Sequence, residues 1–256
     1  MGPISVQVTI LGSGTIIPTR GRRATSLTMS CGNDRYLFDC GPGTPDALEE
    51  SGLSFRDLKR VFITHYHPDH TLGIGHLLAA LRIDDAAGGQ GGLTLYGPTG
   101  IVDFIDRWHA LYPATEPGTA HPTLVEVGGG CVYSAEGVDV RATGVDHDGR
   151  PALAYRLDAG GASIVYTGDT AYTESLVELA RDVELLIAEC SVPDDRPMAG
   201  HMTPSAVGTL AARSGAGRVV LVHLYPVFGR HDPAEAVRRD YPGSVVVAED
   251  GMKIDV

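Results

Sequence analysis

His65-Tyr66-His67-Pro68-Asp69-His70 sets three imidazoles and a carboxylate within six positions. Neutral imidazole nitrogen and carboxylate oxygen are the usual ligands of zinc and its divalent neighbours, so a cluster this dense predicts a site for paired metal ions. The apolar run Val61-Phe62-Ile63-Thr64 leads into it. Alternate side chains of an extended segment point the same way, so His65 and His67 can grip one ion. Where the chain turns into the following helix, Asp69 and His70 swing toward a second. The competing reading, a polar loop whose histidines cap that helix, leaves the density of the motif unexplained.

Three further candidates stand at the ends of apolar runs: His147 in Val145-Asp146-His147-Asp148, Asp169 in Tyr166-Thr167-Gly168-Asp169-Thr170, and His223 in Val220-Leu221-Val222-His223-Leu224. That placement lets a rigid sheet present a ligand to a cleft. Singly, each would be an ordinary loop residue. Joined to the first motif, they read as metal ligands.

The elements that must carry these residues alternate along the chain. Short β-rich runs bounded by Gly, Pro, Asn and Asp predict strands at 6–11, 27–30, 36–38, 61–64, 93–96, 138–142, 152–157, 163–167, 185–188, 218–222 and 244–247. Helical apolar spacing falls at 44–51, 73–83, 100–111, 174–181, 204–213 and 233–240, the last two with Pro near the first turn. This alternation predicts an α/β protein with sheets flanked by helices. Glycine-rich turns are expected at 88–92 and 128–130. Neither marks a composition break, and a boundary between His65 and His223 would divide their site, so residues 1–256 read as one domain.

The chain has 32 acidic and 20 basic residues, a net charge of −12 that repels polyanions. No apolar stretch approaches the roughly 18–20 residues that span a bilayer, and no basic-then-apolar leader opens the chain, so a cytoplasmic protein without a membrane partner is expected. Cys31, Cys40, Cys131 and Cys190 are scattered, as reduced thiols are. Arg20, Arg22 and Arg23 form a local basic loop, either a grip for an anionic substrate or a solvated turn. His76, His109, His121 and His231 match no motif.

With these motifs the chain resembles the metallo-β-lactamase superfamily from Leu11 to about Tyr225, and within it the ribonuclease Z group and its phosphodiesterase relatives. Residues 18–26 are similar to that group's phosphate-side loop, Leu37-Phe38-Asp39-Cys40-Gly41-Pro42-Gly43-Thr44 to its second motif, and Tyr166-Thr167-Gly168-Asp169-Thr170 to its bridging-aspartate motif. Ala188-Glu189-Cys190 with Gly200-His201-Met202-Thr203-Pro204 resembles its Glu and His-x-Thr elements, which lactamases and glyoxalases lack. The resemblance implies a four-layered αββα sandwich. It implies that His65, His67 and His147 hold one zinc, Asp69, His70 and His223 the other, with Asp169 bridging; manganese or iron would fit the same donors. Glu189 and His201 would handle protons beside the metals, with Asp69 orienting the nucleophile.

The chain also departs from the transfer-RNA-processing members. These carry a long arm between the third histidine ligand and the bridging aspartate, whereas His147 and Asp169 are 22 positions apart (169 − 147). Leu224-Tyr225-Pro226-Val227 stands where those enzymes have Ser-x-Arg-Tyr, and Pro68 where they have glycine. The expected partners are a small or short phosphodiester and at most a second copy of the chain, rather than transfer RNA. Metal coordination lowers the pKa of water from about 15.7 toward about 7 and so supplies a nucleophile at neutral pH. A lactone, thioester or β-lactam carbonyl is the alternative electrophile, and a non-catalytic metal-binding scaffold the alternative class.

Overall fold

The computed structural model describes residues 5–86, 92–112, 122–135, 137–229 and 231–256; residues 88–91 of the expected glycine turn and His121 lie outside them. A strand whose two faces both meet protein reads as a near-continuous apolar run. Leu185–Glu189 is such a strand, buried at all five positions and apolar up to Glu189 at its end. It belongs to one of two seven-stranded sheets whose inner faces meet and whose outer faces carry helices.

In the first sheet, β1 (Val6–Gly12), β2 (Ser26–Cys31) and β3 (Asp34–Phe38) form an antiparallel meander. The parallel strands β4 (Arg60–Phe62), β5 (Thr94–Pro98) and β6 (Thr123–Val127) follow in order. Each parallel step needs a crossover, made by α1 (Thr44–Glu50), α2 (Pro68–Ala86) and α3 (Ile101–Leu111). The second sheet repeats the plan. Its antiparallel strands are β7 (Gly130–Ala135), β8 (Val138–Gly144), β9 (Leu153–Ala159) and β10 (Ala162–Tyr166). Parallel β11 (Leu185–Glu189), β12 (Arg218–Val222) and β13 (Ser244–Val247) follow through α4 (Glu174–Leu179), α5 (Pro204–Ser214) and α6 (Pro233–Val237). A last strand, β14 (Lys253–Asp255), returns to pair with β1.

The central core lies between the sheets, where Phe38 stacks on Phe62 at 5.0 Å and both meet the edge of Tyr155. A second core joins Leu48, Ile74, Leu77 and Ile105 of the helices to Leu37 and Val61. A third joins Val207, Leu210 and Val237 to Leu186 and Leu221. This is the expected αββα sandwich, in which the C-terminal ends of the parallel strands of both sheets face one crevice.

Differences from the sequence-based reading fall at the edges. The strands β6, β7 and β14 were not expected: β6 and β7 close the two sheets at one end and β14 the first sheet at the other, so they bury few apolar side chains and carry little periodic signal. Helix α2 begins at Pro68 rather than residue 73, with proline in its first turn, so that Asp69 and His70 are helical. The helix expected at 233–240 stops at Val237. All four cysteines are free, three of them buried. Among the described residues no helix is long and apolar enough to cross a membrane.

Candidate metal centre

The backbone that delivers the first ligands is held by close approaches. A Cβ on Gly73 would lie 2.2 Å from the Gly41 carbonyl oxygen, and one on Gly41 would lie 2.1 Å from that of Asp69, so only glycine lets the loop after β3 sit on the first turns of α2. Cys40 N–H donates to the His70 carbonyl at 2.8 Å, and Gly73 N–H to that of Cys40 at 2.8 Å. From the other sheet, Gly168 takes a left-handed φ of 56°, and a Cβ there would lie 2.7 Å from Thr64. That contact brings Asp169 beside His65.

Buried Asp39, also at positive φ (57°), organises the site from beneath. It accepts the Thr64 N–H at 2.8 Å, the Thr64 hydroxyl at 3.0 Å, the Tyr166 hydroxyl at 2.8 Å and the His70 Nδ1–H at 2.7 Å. With its hydroxyl proton so used, Thr64 accepts from His65 Nδ1 at 3.0 Å. His147 Nδ1–H donates to the Gly200 carbonyl at 2.8 Å, and His223 Nδ1–H to Ser191 Oγ at 2.9 Å. Four rings are thereby fixed as the tautomer whose Nε2 is a bare acceptor facing inward, the outer support that metal-bound histidines require.

Their inner atoms converge. His67 Nδ1 and His147 Nε2 stand 3.0 Å apart. His223 Nε2 lies 3.2 Å from both Asp69 Oδ2 and Asp169 Oδ2, and His70 Nε2 lies 3.4 Å from Asp169 Oδ2. Donor atoms of His65, His67, His147 and Asp169 fall within 4.8 Å of one another, as do those of Asp69, His70 and His223. The structure thus brings together all seven expected ligands, in the grouping that the family resemblance implies. His65 Nε2, His70 Nε2 and Asp169 Oδ1 are buried without a hydrogen-bond partner. Orphaned acceptors at this density are costly unless a cation meets them. A nitrogen and oxygen donor set of this kind fits zinc, manganese or iron.

Electrostatics agree. Burial, then the neighbouring His70 ring, holds His65 well below the usual histidine range, leaving it neutral for ligation. Burial works against ionised Asp169, but the charges of His223 and His70 outweigh it and hold the carboxyl well below its usual range. Burial likewise opposes a charged His70, and Asp169 with Asp39 overcomes it, raising that imidazole. A proton on His70 and a cation between the two groups are alternative ways to balance the same carboxylate.

Beside the ligands, His201 Nδ1 donates to Glu189 Oε1 at 3.0 Å. Burial disfavours charge on His201, but the hydrogen bond and charge of Glu189 prevail and raise its pKa. Glu189 is itself held by the Thr170 N–H at 2.8 Å and the Ser191 hydroxyl at 2.5 Å. Ser191 was not singled out in the sequence; its place two residues after Glu189 was the available signal. Asp39 stood inside a quoted motif without a role. Tyr225, in place of the Ser-x-Arg-Tyr element, sets its ring 5.6 Å from that of His223.

The arginine loop is divided. Arg22 Nη1 donates to Ser13 Oγ and to the Ala248 carbonyl, both at 2.8 Å, and Arg23 pairs with Glu50 at 2.7 Å. Arg20 is exposed. A pocket of about 130 Å³ is lined by His65, Tyr66, His67, His147, Arg150 and Pro151, and a separate cleft of about 480 Å³ includes Arg22, Tyr225 and Phe228. His76, His109 and His231 lie outside the donor groups, and Cys40 is a fully buried small side chain.

Comparison with known proteins matches this picture. The model of the β-lactamase superfamily domain matches residues 34–224, which span every ligand named above. Ribonuclease Z from Synechococcus sp. (strain WH7803) is 31% identical over 98% of this chain and 96% of its own length, and ribonuclease Z from Methanosarcina acetivorans is 27% identical over 98% of each. Among solved structures, the metallo-β-lactamase fold protein YhfI from Bacillus subtilis superposes with a TM-score of 0.88 at 25% identity, covering 98% of this chain and 100% of its own. The short form of human tRNase Z superposes with a TM-score of 0.80 at 26% identity, covering 97% and 98%. This chain therefore belongs to the β-lactamase superfamily, and within it to the ribonuclease Z-like metallo-hydrolases. It is a metal-binding hydrolase.

Proposed function

We propose that residues 1–256 act as one dinuclear phosphodiesterase domain, most active on a small or single-stranded phosphodiester, with zinc as the ion held. The observation that carries this reading is His201, hydrogen-bonded to Glu189 and stacked at 5.6 Å on His223, beside two groups of donors with orphaned atoms. When bound, a pair of divalent ions supplies Lewis acidity and a water acidic enough to serve as nucleophile at neutral pH. His65, His67 and His147 would hold one ion, Asp69, His70 and His223 the other, and Asp169 both. Asp69 orients the nucleophile through its second oxygen. His201, its proton favoured by Glu189, protonates the departing alkoxide. A cytoplasmic setting suits the free cysteines.

Preference for a small substrate is supported by what separates His147 from Asp169. Strands β9 and β10 and the turn at Gly160-Gly161 occupy that interval, with no stretch left for a projecting arm. The Synechococcus ribonuclease Z aligns over 322 positions and this chain has 256 residues, so at least 66 of those positions (322 − 256) hold residues that this chain lacks. A processor of folded RNA needs phosphate contacts far from the scissile bond, and these make binding fall steeply with salt.

The test sets metal-analysed protein against bis(p-nitrophenyl) phosphate, a lactone, a cephalosporin and precursor transfer RNA. Expected are about two ions per chain, since seven ligands exceed one tetrahedral site, and diester turnover well above the other three. His201→Ala should keep both ions and lose roughly 10²–10⁴ in rate. Saturation at submicromolar transfer-RNA precursor with a steep salt slope would overturn the preference, and metal loss in His201→Ala the assigned role.

A further inference from the structure

We propose that Arg150 is the substrate-anion residue of this centre, holding a non-bridging phosphate oxygen on the His65/His67/His147 side; the proposal rests on the phosphodiesterase reading above. Nothing in the sequence motifs singles Arg150 out. Its position follows from a tight turn: the Arg150 N–H donates to the His147 carbonyl at 3.2 Å, and Asp148 and Gly149 both take left-handed φ, 55° and 65°. The backbone positions of a metal-ligand candidate and an arginine are thus fixed on one four-residue hairpin.

Arg150 also lines the small pocket whose other walls are three of the ligand histidines, Tyr66 and Pro151. Any group bound to those histidines within this pocket meets the arginine. Arg22 of the arginine loop, which lines the larger cleft with Tyr225, is committed to Ser13 and Ala248 by two hydrogen bonds of 2.8 Å. Arg150 carries no such commitment. Its Nε lies 3.4 Å from Asp148 Oδ2, and the side chains of this pair are 74% and 52% exposed. An exposed pair of that kind contributes little, less than a charge-assisted bond to phosphate, so a phosphodiester can draw the guanidinium from Asp148. Asp148 Oδ2 also lies 3.5 Å from His67 Nε2, which places the resting guanidinium next to the ligand set. A planar fork suits two phosphate oxygens, and a neutral ester offers it nothing comparable.

The measurements compare wild type, Arg150→Ala and Arg150→Lys as metal-loaded protein. KM and kcat are read for bis(p-nitrophenyl) phosphate and for neutral p-nitrophenyl acetate. Binding of diethyl phosphate is read by calorimetry, a readout independent of turnover, and metal content by elemental analysis. Arg150→Ala should raise KM for the diester, and weaken diethyl phosphate, by roughly 10-fold to 100-fold, the range for one charged hydrogen bond. Metal content and acetate hydrolysis should stay unchanged, and Arg150→Lys should recover part of the loss. If no variant or wild type turns over the diester but diethyl phosphate binding still drops in Arg150→Ala, the phosphodiesterase reading fails and the anion site stands. Equal diethyl phosphate affinity in wild type and Arg150→Ala, or none in either, overturns the assignment.

Discussion

The two halves of the molecule repeat one plan and load it differently. In the first, β3-α1-β4-α2-β5-α3-β6 runs as parallel strands joined by crossover helices; in the second, β10-α4-β11-α5-β12-α6-β13 does the same. The first half concentrates its candidate ligands on one segment, from His65 in the loop after β4 to His70 in the first turn of α2. The second spreads its own over separate strand ends, His147 beyond β8, Asp169 beyond β10 and His223 beyond β12, with the proton-handling Glu189 closing β11. A concentrated motif stands or falls with one backbone segment. A dispersed set depends on register across a whole sheet, since Glu189 faces Val222 only because β11 and β12 pair as they do.

The comparison breaks first at Asp169, the second-half residue set among histidines of both halves. Asp169→Ala should abolish turnover and lower the occupancy of both ions, because the same carboxylate oxygen faces His65 of one group at 3.8 Å and His70 and His223 of the other at 3.4 and 3.2 Å. Elemental analysis that still returns two ions per chain would show that the halves bind metal independently.

A smaller effect is expected from the first-half residue that supports the loop without touching metal. Asn tolerates the left-handed backbone of position 39, so Asp39→Asn removes charge without changing conformation. The variant should cost roughly 10-fold to 100-fold in metal affinity through His70, the usual cost of losing such a support. A chelator competition titration reads it, and a curve that overlays wild type would remove Asp39 from the site.

The smallest expected effect lies on the seam. The Tyr166 hydroxyl, from β10, donates to Asp39 across the central core at 2.8 Å. Tyr166→Phe should cost about 0.5–1.5 kcal/mol of stability while diester turnover stays within a few-fold of wild type. Urea unfolding measures the first quantity. If turnover collapses instead, the two halves are coupled through Tyr166 and not only through Asp169.

The same contrast decides what could be read in advance. Strands with continuous apolar runs, such as those at 185–188 and 219–222, announced themselves because burial on two faces leaves little room for polar residues. The edge strands β6, β7 and β14 did not, since a strand paired on one side, and exposed over much of its surface, needs little apolar patterning. Proline at 68 was a legible helix start. Helical apolar spacing was nevertheless read only from residue 73, because the histidines and carboxylate around Pro68 answer to metal rather than to helical periodicity.

By itself the sequence determined the composition of the centre: six residues from His65 to His70 declare their chemistry because local spacing fixes which way adjacent side chains point. It also determined that strands and helices alternate, and hence the layers. Only tertiary structure decided how His147, Asp169 and His223 meet that loop, because their meeting depends on sheet register and on glycines 41, 73 and 168 admitting backbone contacts that no local pattern encodes. It decided likewise that Arg22 is spent on the Ala248 carbonyl while Arg150 faces the histidines. A guanidinium's role is set by what packs around it, and for these two the neighbours come from distant parts of the chain.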